Sequence, residues 1–236
     1  MRIAICDDSI TDAEYLKSLC HSKEGYDKNA IDVYDNGEHL IRSHLKNKYD
    51  IVFLDVDMPN RNGIEIGKMI KNATPKTIII FSTSYPQYAI EAYECEAFHY
   101  LLKPCDKTKL VEVLNRAEKK VSLAQKRHVV TYKNEPYTML ISDIYYVEYS
   151  NKHIIYHTNN SKIEVPGRLS DVYEALKGYG FYQVHQGYIV NFEKVRRFDK
   201  YSVILNNGAN VMVSVRKRKE SLCAYSKYVE MYIWSY

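Results

Sequence analysis

Asp7 and Asp8, Asp55, Thr83 and Lys103 are the residues of this 236-residue chain whose types and spacing promise chemistry. Each follows or ends a short apolar run: Ile3-Ala4-Ile5-Cys6 before the acidic pair, Ile51-Val52-Phe53-Leu54 before Asp55, Ile78 to Ser82 before Thr83, Ala97 to Leu102 before Lys103. Such runs, rich in β-branched and aromatic residues, read as strands buried on both faces. In open parallel α/β sheets, ligands collect at the carboxyl ends of the strands. If the first and third strands lie side by side, three carboxylates meet there. They repel one another, and the usual remedy is a hard divalent cation with oxygen ligands and retained waters, which describes Mg²⁺. With the ion bound, Asp55 can accept a phosphoryl group, because the ion neutralises charge spread over the equatorial oxygens. Thr83 offers a hydroxyl and Lys103 a point charge to the same oxygens.

The elements that must hold these residues follow from periodicity. Residues 10–22 carry Ala13, Leu16, Leu19 and Cys20 at helical spacing, and Ile31-Asp32-Val33-Tyr34 reads as a weaker strand. A helix opening near Asn36-Gly37-Glu38 carries Leu40, Ile41 and Leu45. Pro59 and Gly63 mark a loop before a helix with Ile64, Ile66, Met69 and Ile70. Further helices are predicted from about Pro86 to Tyr93 and over 106–124. Strand and helix thus alternate five times across residues 1–122, the pattern of a doubly wound five-stranded parallel sheet.

Composition is that of a globular protein, 46% hydrophobic and 26% charged, with length for one large or two ordinary domains. No apolar run approaches the roughly 18 residues of a membrane span. The start, Met1-Arg2-Ile3-Ala4-Ile5-Cys6-Asp7-Asp8, turns acidic too soon for a signal peptide, so a cytoplasmic location and no membrane contact are expected. Cys6, Cys20, Cys95, Cys105 and Cys223 form no C-x-x-C pair and read as reduced, mostly packed thiols. The formal charge of +4 is uneven: residues 1–122 hold 17 Lys+Arg against 19 Asp+Glu, residues 123–236 hold 16 against 10. The basic half is the candidate for a polyanion partner. It also holds 15 of the 23 tyrosines, which fits half-exposed β-structure.

Residues 123–127 read as a short polar linker, after which the period changes from that of helices to that of strands. Over 128–236, short strands are predicted at 128–132, 137–141, 144–149, 154–158, 162–165, 188–190, 195–198, 202–205 and 211–215, with one helix at 169–177. This pattern contains no helix-turn-helix pair. In the tail, Glu220 to Tyr236, Leu222, Tyr225, Val229 and Tyr232 recur at helical spacing, which predicts a helix docked on its own domain.

The set Asp7-Asp8, Asp55 with Met58-Pro59 and Gly63, Thr83 and Lys103-Pro104 resembles the receiver domain of bacterial two-component response regulators. That resemblance implies Asp55 as phosphoacceptor, Asp7 and Asp8 as the acidic pair with Asp8 a direct Mg²⁺ ligand, and the backbone carbonyl of Asp57 completing the protein ligands. It also implies Thr83 and Tyr100 as switch hydroxyl and switch aromatic, Lys103 as the invariant lysine, and a cis bond to Pro104. Glu96 and His99 depart from the common Gly and Asp. The later order, with the Asn151-Lys152-His153 loop, His185-Gln186-Gly187-Tyr188-Ile189-Val190-Asn191 and Ser214-Val215-Arg216-Lys217-Arg218, resembles the LytTR-type DNA-binding domain over about 126–220. There, three loops at one edge of a β-sandwich enter successive major grooves, and the contacts align here with Lys152 and His153, Gln186, and Arg216. Arg216 suits guanine, Gln186 adenine, and His153 a single hydrogen bond, while Lys152, Lys217 and Arg218 suit phosphates. Gln183, Gln186 and Gly187 depart from the family's usual Arg and Ser. His185 and Asn191 are assigned to internal hydrogen bonding.

Asp55-Val56-Asp57 also resembles the D-x-D of haloacid-dehalogenase-type phosphatases. In that family, however, the motif comes before the metal-binding acids, and Pro59 stands where Thr or Val is usual. The expectation is therefore a non-enzymatic regulator, phosphorylated by a sensor histidine kinase and binding repeated half-sites in promoter DNA as a homodimer. The alternative of another class is a phosphorylation-dependent protein- or RNA-binding module.

Overall fold

In the computed structural model, which describes residues 1–23, 30–59 and 61–232, the N-terminal apolar runs become strands of a single sheet. The order of elements is β1 (Ile3–Cys6), α1 (Ile10–His21), β2 (Ile31–Tyr34), α2 (Gly37–Asn47), β3 (Ile51–Leu54), α3 (Gly63–Ala73), β4 (Ile78–Thr83), α4 (Ala89–Glu94), β5 (His99–Leu102) and α5 (Lys107–Gln125). All pairings are parallel, in the order β2-β1-β3-β4-β5. Every residue of β1, β3 and β4 is buried. Alternate residues feed two cores, as the period of a strand requires. Ile3, Ile5, Ile51, Phe53, Ile78 and Ile80 pack with α1 and α5, while Ala4, Val52, Leu54, Ile79 and Phe81 pack with α2 and α3.

The helices begin where side chains can cap them. Ser9, Asn36 and Asn62 each accept a backbone N–H of the first turn of α1, α2 and α3. Gly63 has a further reason to be glycine: a Cβ there would fall 1.8 Å from the carbonyl oxygen of Asp55. The start of α3 is thereby pressed against the end of β3.

The chain divides into compact units at Val121/Ser122. The predicted linker at 123–127 is not a separate segment. Helix α5 runs on to Gln125 and β6 (Arg127–Tyr132) starts after Lys126. The run of helix-forming Leu, Ala, Gln and Lys residues that looked like a solvated connector continues the helix.

The second unit continues with β7 (Glu135–Leu140), β8 (Ile144–Ser150), β9 (His153–Thr158), β10 (Lys162–Pro166), α6 (Leu169–Leu176), β11 (Phe181–His185), β12 (Tyr188–Asn191), β13 (Val195–Phe198), β14 (Ser202–Leu205), β15 (Asn210–Met212) and α7 (Arg218–Tyr232). It holds an antiparallel sheet in the order β10-β9-β8-β12-β11, a three-stranded sheet β13-β14-β15 and the hairpin β6-β7. Val184 and Val190 of the larger sheet pack with Val203, Leu205 and Val211 of the smaller. α6 closes the other core through Leu169, Val172 and Leu176. Helix α7 docks on its own unit: the rings of Tyr225 and Tyr228 lie 5.3 and 5.8 Å from that of Phe192. The predicted tail helix ends at Tyr232 as described, and residues 233–236 lie outside the described residues.

Two strands differ from expectation. Phe181–His185 forms β11, and the predicted strand 211–215 ends at Met212. Beyond Met212 the backbone leaves the small sheet, and Ser214 instead donates to the carbonyl of Val184 at 3.0 Å.

Candidate functional site

The parallel register brings the ends of β1, β3, β4 and β5 to one rim. Asp7 and Asp55 are 2% and 6% exposed, and Thr83 is fully buried. Carboxylate oxygens of Asp7, Asp8 and Asp55 lie within 4.8 Å of one another. The Lys103 ammonium reaches into the group, donating to Asp55 Oδ2 at 2.6 Å and contacting Asp7 Oδ2 at 2.7 Å and Asp12 Oδ2 at 3.1 Å. Its own backbone N–H donates to the carbonyl of Thr83 at 2.9 Å. The Lys103-Pro104 bond is cis.

Backbone donors fix the carboxylates. Val56 N–H donates to Asp55 Oδ1 at 2.6 Å and Ser9 N–H to Asp7 Oδ1 at 3.0 Å. One ammonium shared among three carboxylates cannot satisfy all of them. Burial opposes the charge of Lys103, but its bonds to Asp55, Asp7 and Asp12 outweigh burial and raise its pKa. For Asp7, burial prevails over the pull of Lys103 and lifts the carboxyl above its ordinary range. The pocket therefore carries excess negative charge on hard oxygen donors, the donor set of Mg²⁺-type ions.

Two hydroxyls flank this pocket. Thr83 Oγ1 has no hydrogen-bond partner among the described residues. Tyr100 lies half-buried on β5, its ring 6.2 Å from that of Phe81, and its hydroxyl donates to the backbone carbonyl of Tyr85 in the loop after β4. Asp57 is exposed, and its backbone N–H lies 3.4 Å from Asp55 Oδ1. Sequence reasoning missed Asp12, although its signal was present: it stands one helical turn beyond Asp8, with Ser9 three residues before it as the N-cap. Four of the five thiols are packed, as expected, and the fifth is not. Cys6, Cys20, Cys95 and Cys105 are buried and free, and burial pushes Cys6 and Cys20 up to about 12, whereas Cys223 on α7 is exposed.

In the second unit the expected contact residues gather at one end of the sheets. Asn151 and Lys152 form a tight β8–β9 turn with φ of 50° and 66°, the two-residue geometry whose twist matches its strands. Tyr149 N–H donates to the carbonyl of Gly187 at 2.8 Å, which sets the Gln186-Gly187 turn beside it. The bond from Ser214 to Val184 brings the segment holding Arg216 to the same end. Lys152, Gln186 and Arg216 are exposed, and His153 is half-buried with Nδ1 2.9 Å from the Asn151 carbonyl oxygen. Lys217, expected to suit a phosphate, has a partner within the fold: its Nζ donates to the Gln183 carbonyl at 3.3 Å and so ties its own segment to β11. Arg218 opens α7 half-buried, its Nε without a hydrogen-bond partner among the described residues. His185 and Asn191 serve the fold. His185 Nδ1 accepts from Gly187 N–H at 3.1 Å, and Asn191 donates to the Ile144 carbonyl at 2.9 Å while accepting from Glu193 N–H.

The family models agree with this division. Residues 3–115 match the response regulator receiver domain and residues 134–222 the LytTr DNA-binding domain. The chain belongs to the LytTR-type response regulators. This regulator is 28% identical over 235 residues to the sensory transduction protein LytT of Bacillus subtilis, a match covering 93% of the regulator and 97% of LytT. It is 25% identical over 215 residues to the transcriptional regulatory protein YpdB of Escherichia coli, covering 85% and 87% of the two chains. The crystal structure of the response regulatory domain of MrkE from Klebsiella pneumoniae superimposes with a TM-score of 0.48 at 26% identity, covering 52% of the regulator and 98% of that domain. The regulator is thus a two-component transcriptional response regulator, its receiver implying a histidine kinase and its LytTR domain implying DNA. Among the described residues no helix is long and apolar enough to cross a membrane.

Proposed function

We propose that Asp55 is the phosphoacceptor of this regulator and that its phosphorylation controls promoter binding through the loops around Lys152, Gln186 and Arg216. The reading is carried by one observation: Lys103 Nζ sits 2.6 Å from Asp55 and 2.7 Å from Asp7 at the end of β4, where the buried Thr83 hydroxyl has no hydrogen-bond partner among the described residues. A carboxylate oxygen of Asp55 attacks phosphorus while the bond from phosphorus to the nitrogen of a kinase phosphohistidine breaks. The imidazole leaves with the bonding pair. Lys103 then donates to a phosphoryl oxygen, and Thr83 Oγ1 gains the acceptor it lacks.

Asp7, Asp8, Asp55 and the backbone carbonyl of Asp57 would hold Mg²⁺, which when bound offsets the charge arriving on the phosphoryl oxygens. Withdrawal of Thr83 toward the phosphoryl group frees space for the Tyr100 ring and releases its bond to Tyr85. In the second unit, Arg216 and Gln186 read base edges, and His153, its Nδ1–H held by the Asn151 carbonyl, accepts one hydrogen bond at Nε2. Lys152 and Arg218 meet phosphates, and Lys217 does so while buttressing its loop.

Acetyl phosphate with Mg²⁺ is expected to label the wild-type chain, and Asp55→Asn or a chelator to abolish the label. Equal labelling of Asp7→Asn, Asp8→Asn protein would sink the metal assignment. The regulator's affinity for duplex DNA is expected to fall steeply with salt, since neutralised phosphates release counterions.

A further inference from the structure

The resemblance to the LytTR family assigned contacts to three loops, yet the hydrogen bonds of the second unit bring a fourth turn to the same end. Val213 N–H donates to the carbonyl of Tyr201 at 2.9 Å, and the next residue, Ser214, donates to Val184. The β13–β14 turn, Asp199-Lys200-Tyr201, is thereby held against the segment that leads directly to Arg216. Antiparallel register fixes this placement, because Ser202 pairs with Met212 and the β14–β15 turn lies at the opposite end.

What the turn displays is unusual for a solvated loop. Tyr201 is 59% exposed, and the Lys200 ammonium lies 5.1 Å from the centre of its ring. Cation and phenol thus form one donor group, an ammonium and a hydroxyl on an apolar platform. The acidic residue of the turn, Asp199, is neutralised by Arg197 at 3.1 Å. An acidic protein partner would meet the same charge, but the turn is continuous with the segment carrying Arg216, which favours a nucleic-acid backbone.

We infer that Lys200 and Tyr201 form a fourth contact with DNA, gripping a backbone phosphate next to the site reached by Arg216. The inference rests on the DNA-binding function proposed above. The contact is independent of sequence: it sets register and affinity, and base choice stays with Arg216 and Gln186.

The test is binding of the full chain to a randomised duplex pool over a salt series. Lys200→Ala is expected to weaken binding about tenfold and lower the log–log salt slope by about one unit. Tyr201→Phe keeps the ring and is expected to weaken binding about threefold with the slope unchanged, since a neutral donor displaces no counterion. Lys194→Ala removes the same charge from the far end of β13, and its slope is expected to match wild type. Wild-type affinity and slope in both turn variants would overturn the inference and leave the DNA-binding proposal standing, as would a Lys194→Ala effect equal to that of Lys200→Ala. A flat salt dependence in the wild type would overturn both.

Discussion

At the scale of single residues, the pocket is organised by shortage of positive charge. Lys103 meets Asp7, Asp12 and Asp55, so the carboxylates outnumber the ammonium, and at Asp7 and Asp55 burial keeps water from making up the difference. Asp7 shows the consequence. Its pKa in the fold is raised by burial, so the native state binds the proton more tightly than the unfolded chain, and ionising Asp7 costs folding free energy. That cost is absent below the ordinary carboxylate pKa and is fully present once the pH has passed the raised native value. Asp7→Asn, a permanent neutral mimic, is therefore expected to raise the urea midpoint at neutral pH in the absence of divalent cation, with the gain vanishing in acid. The same variant is expected to label poorly with acetyl phosphate. A lower midpoint at neutral pH would show that the Lys103 contact outweighs the burial of Asp7. A site kept at the expense of stability is the usual mark of function.

At the scale of elements, the pocket depends on the seating of α3 against β3. Gly63→Ala would place a methyl 1.8 Å from the Asp55 carbonyl oxygen, so α3 must retreat or the Asp55 backbone must shift. The expected outcome is a loss of about 1–3 kcal/mol in denaturant unfolding together with slower labelling; unchanged labelling would show that the pocket tolerates displacement of α3. Gly63 was legible in the sequence only as loop punctuation, because the close approach that demands it is made by a residue eight positions earlier. The strands were legible where burial is complete, as in Ile51-Val52-Phe53-Leu54 and Ile78-Ile79-Ile80-Phe81, because a run apolar on both faces has few alternatives. Phe181–His185 was not read as a strand, since Tyr182 and Gln183 are amphipathic or polar and its pairing with β12 is irregular between Gln183 and His185. The residues that the structure gathers at the strand ends were singled out from type and position. Asp12, the bond from Lys217 to Gln183 and the placement of Tyr201 depend on register between distant segments, which one-dimensional spacing does not carry.

At the scale of the whole molecule, the question is how a phosphoryl group on the receiver changes what happens at DNA. The pathway proposed through Thr83 and Tyr100 ends on α4 and β5, and there the receiver displays large apolar side chains: Ile90 and Tyr93 are 76% and 70% exposed and Leu102 is 50% exposed. Such a patch is costly to leave in water and is suited to a second copy of the chain. Two linked DNA-binding units on two half-sites then gain affinity through effective concentration without any new base contact. Phosphorylated wild type is expected to sediment as a dimer and to bind a duplex with two half-sites at least about tenfold more tightly than the unmodified chain, within the range such linkage supplies. Ile90→Glu sets a charge on the most exposed of these side chains and touches neither the pocket nor the loops. It is expected to label on Asp55 at the wild-type rate, to remain a monomer when labelled, and to bind a single half-site as wild type does while losing the gain on paired half-sites. A labelled Ile90→Glu protein that still dimerises would place the dimer contact elsewhere on the receiver. A wild-type chain that stays monomeric in both states would remove dimerisation as the means by which phosphorylation reaches DNA.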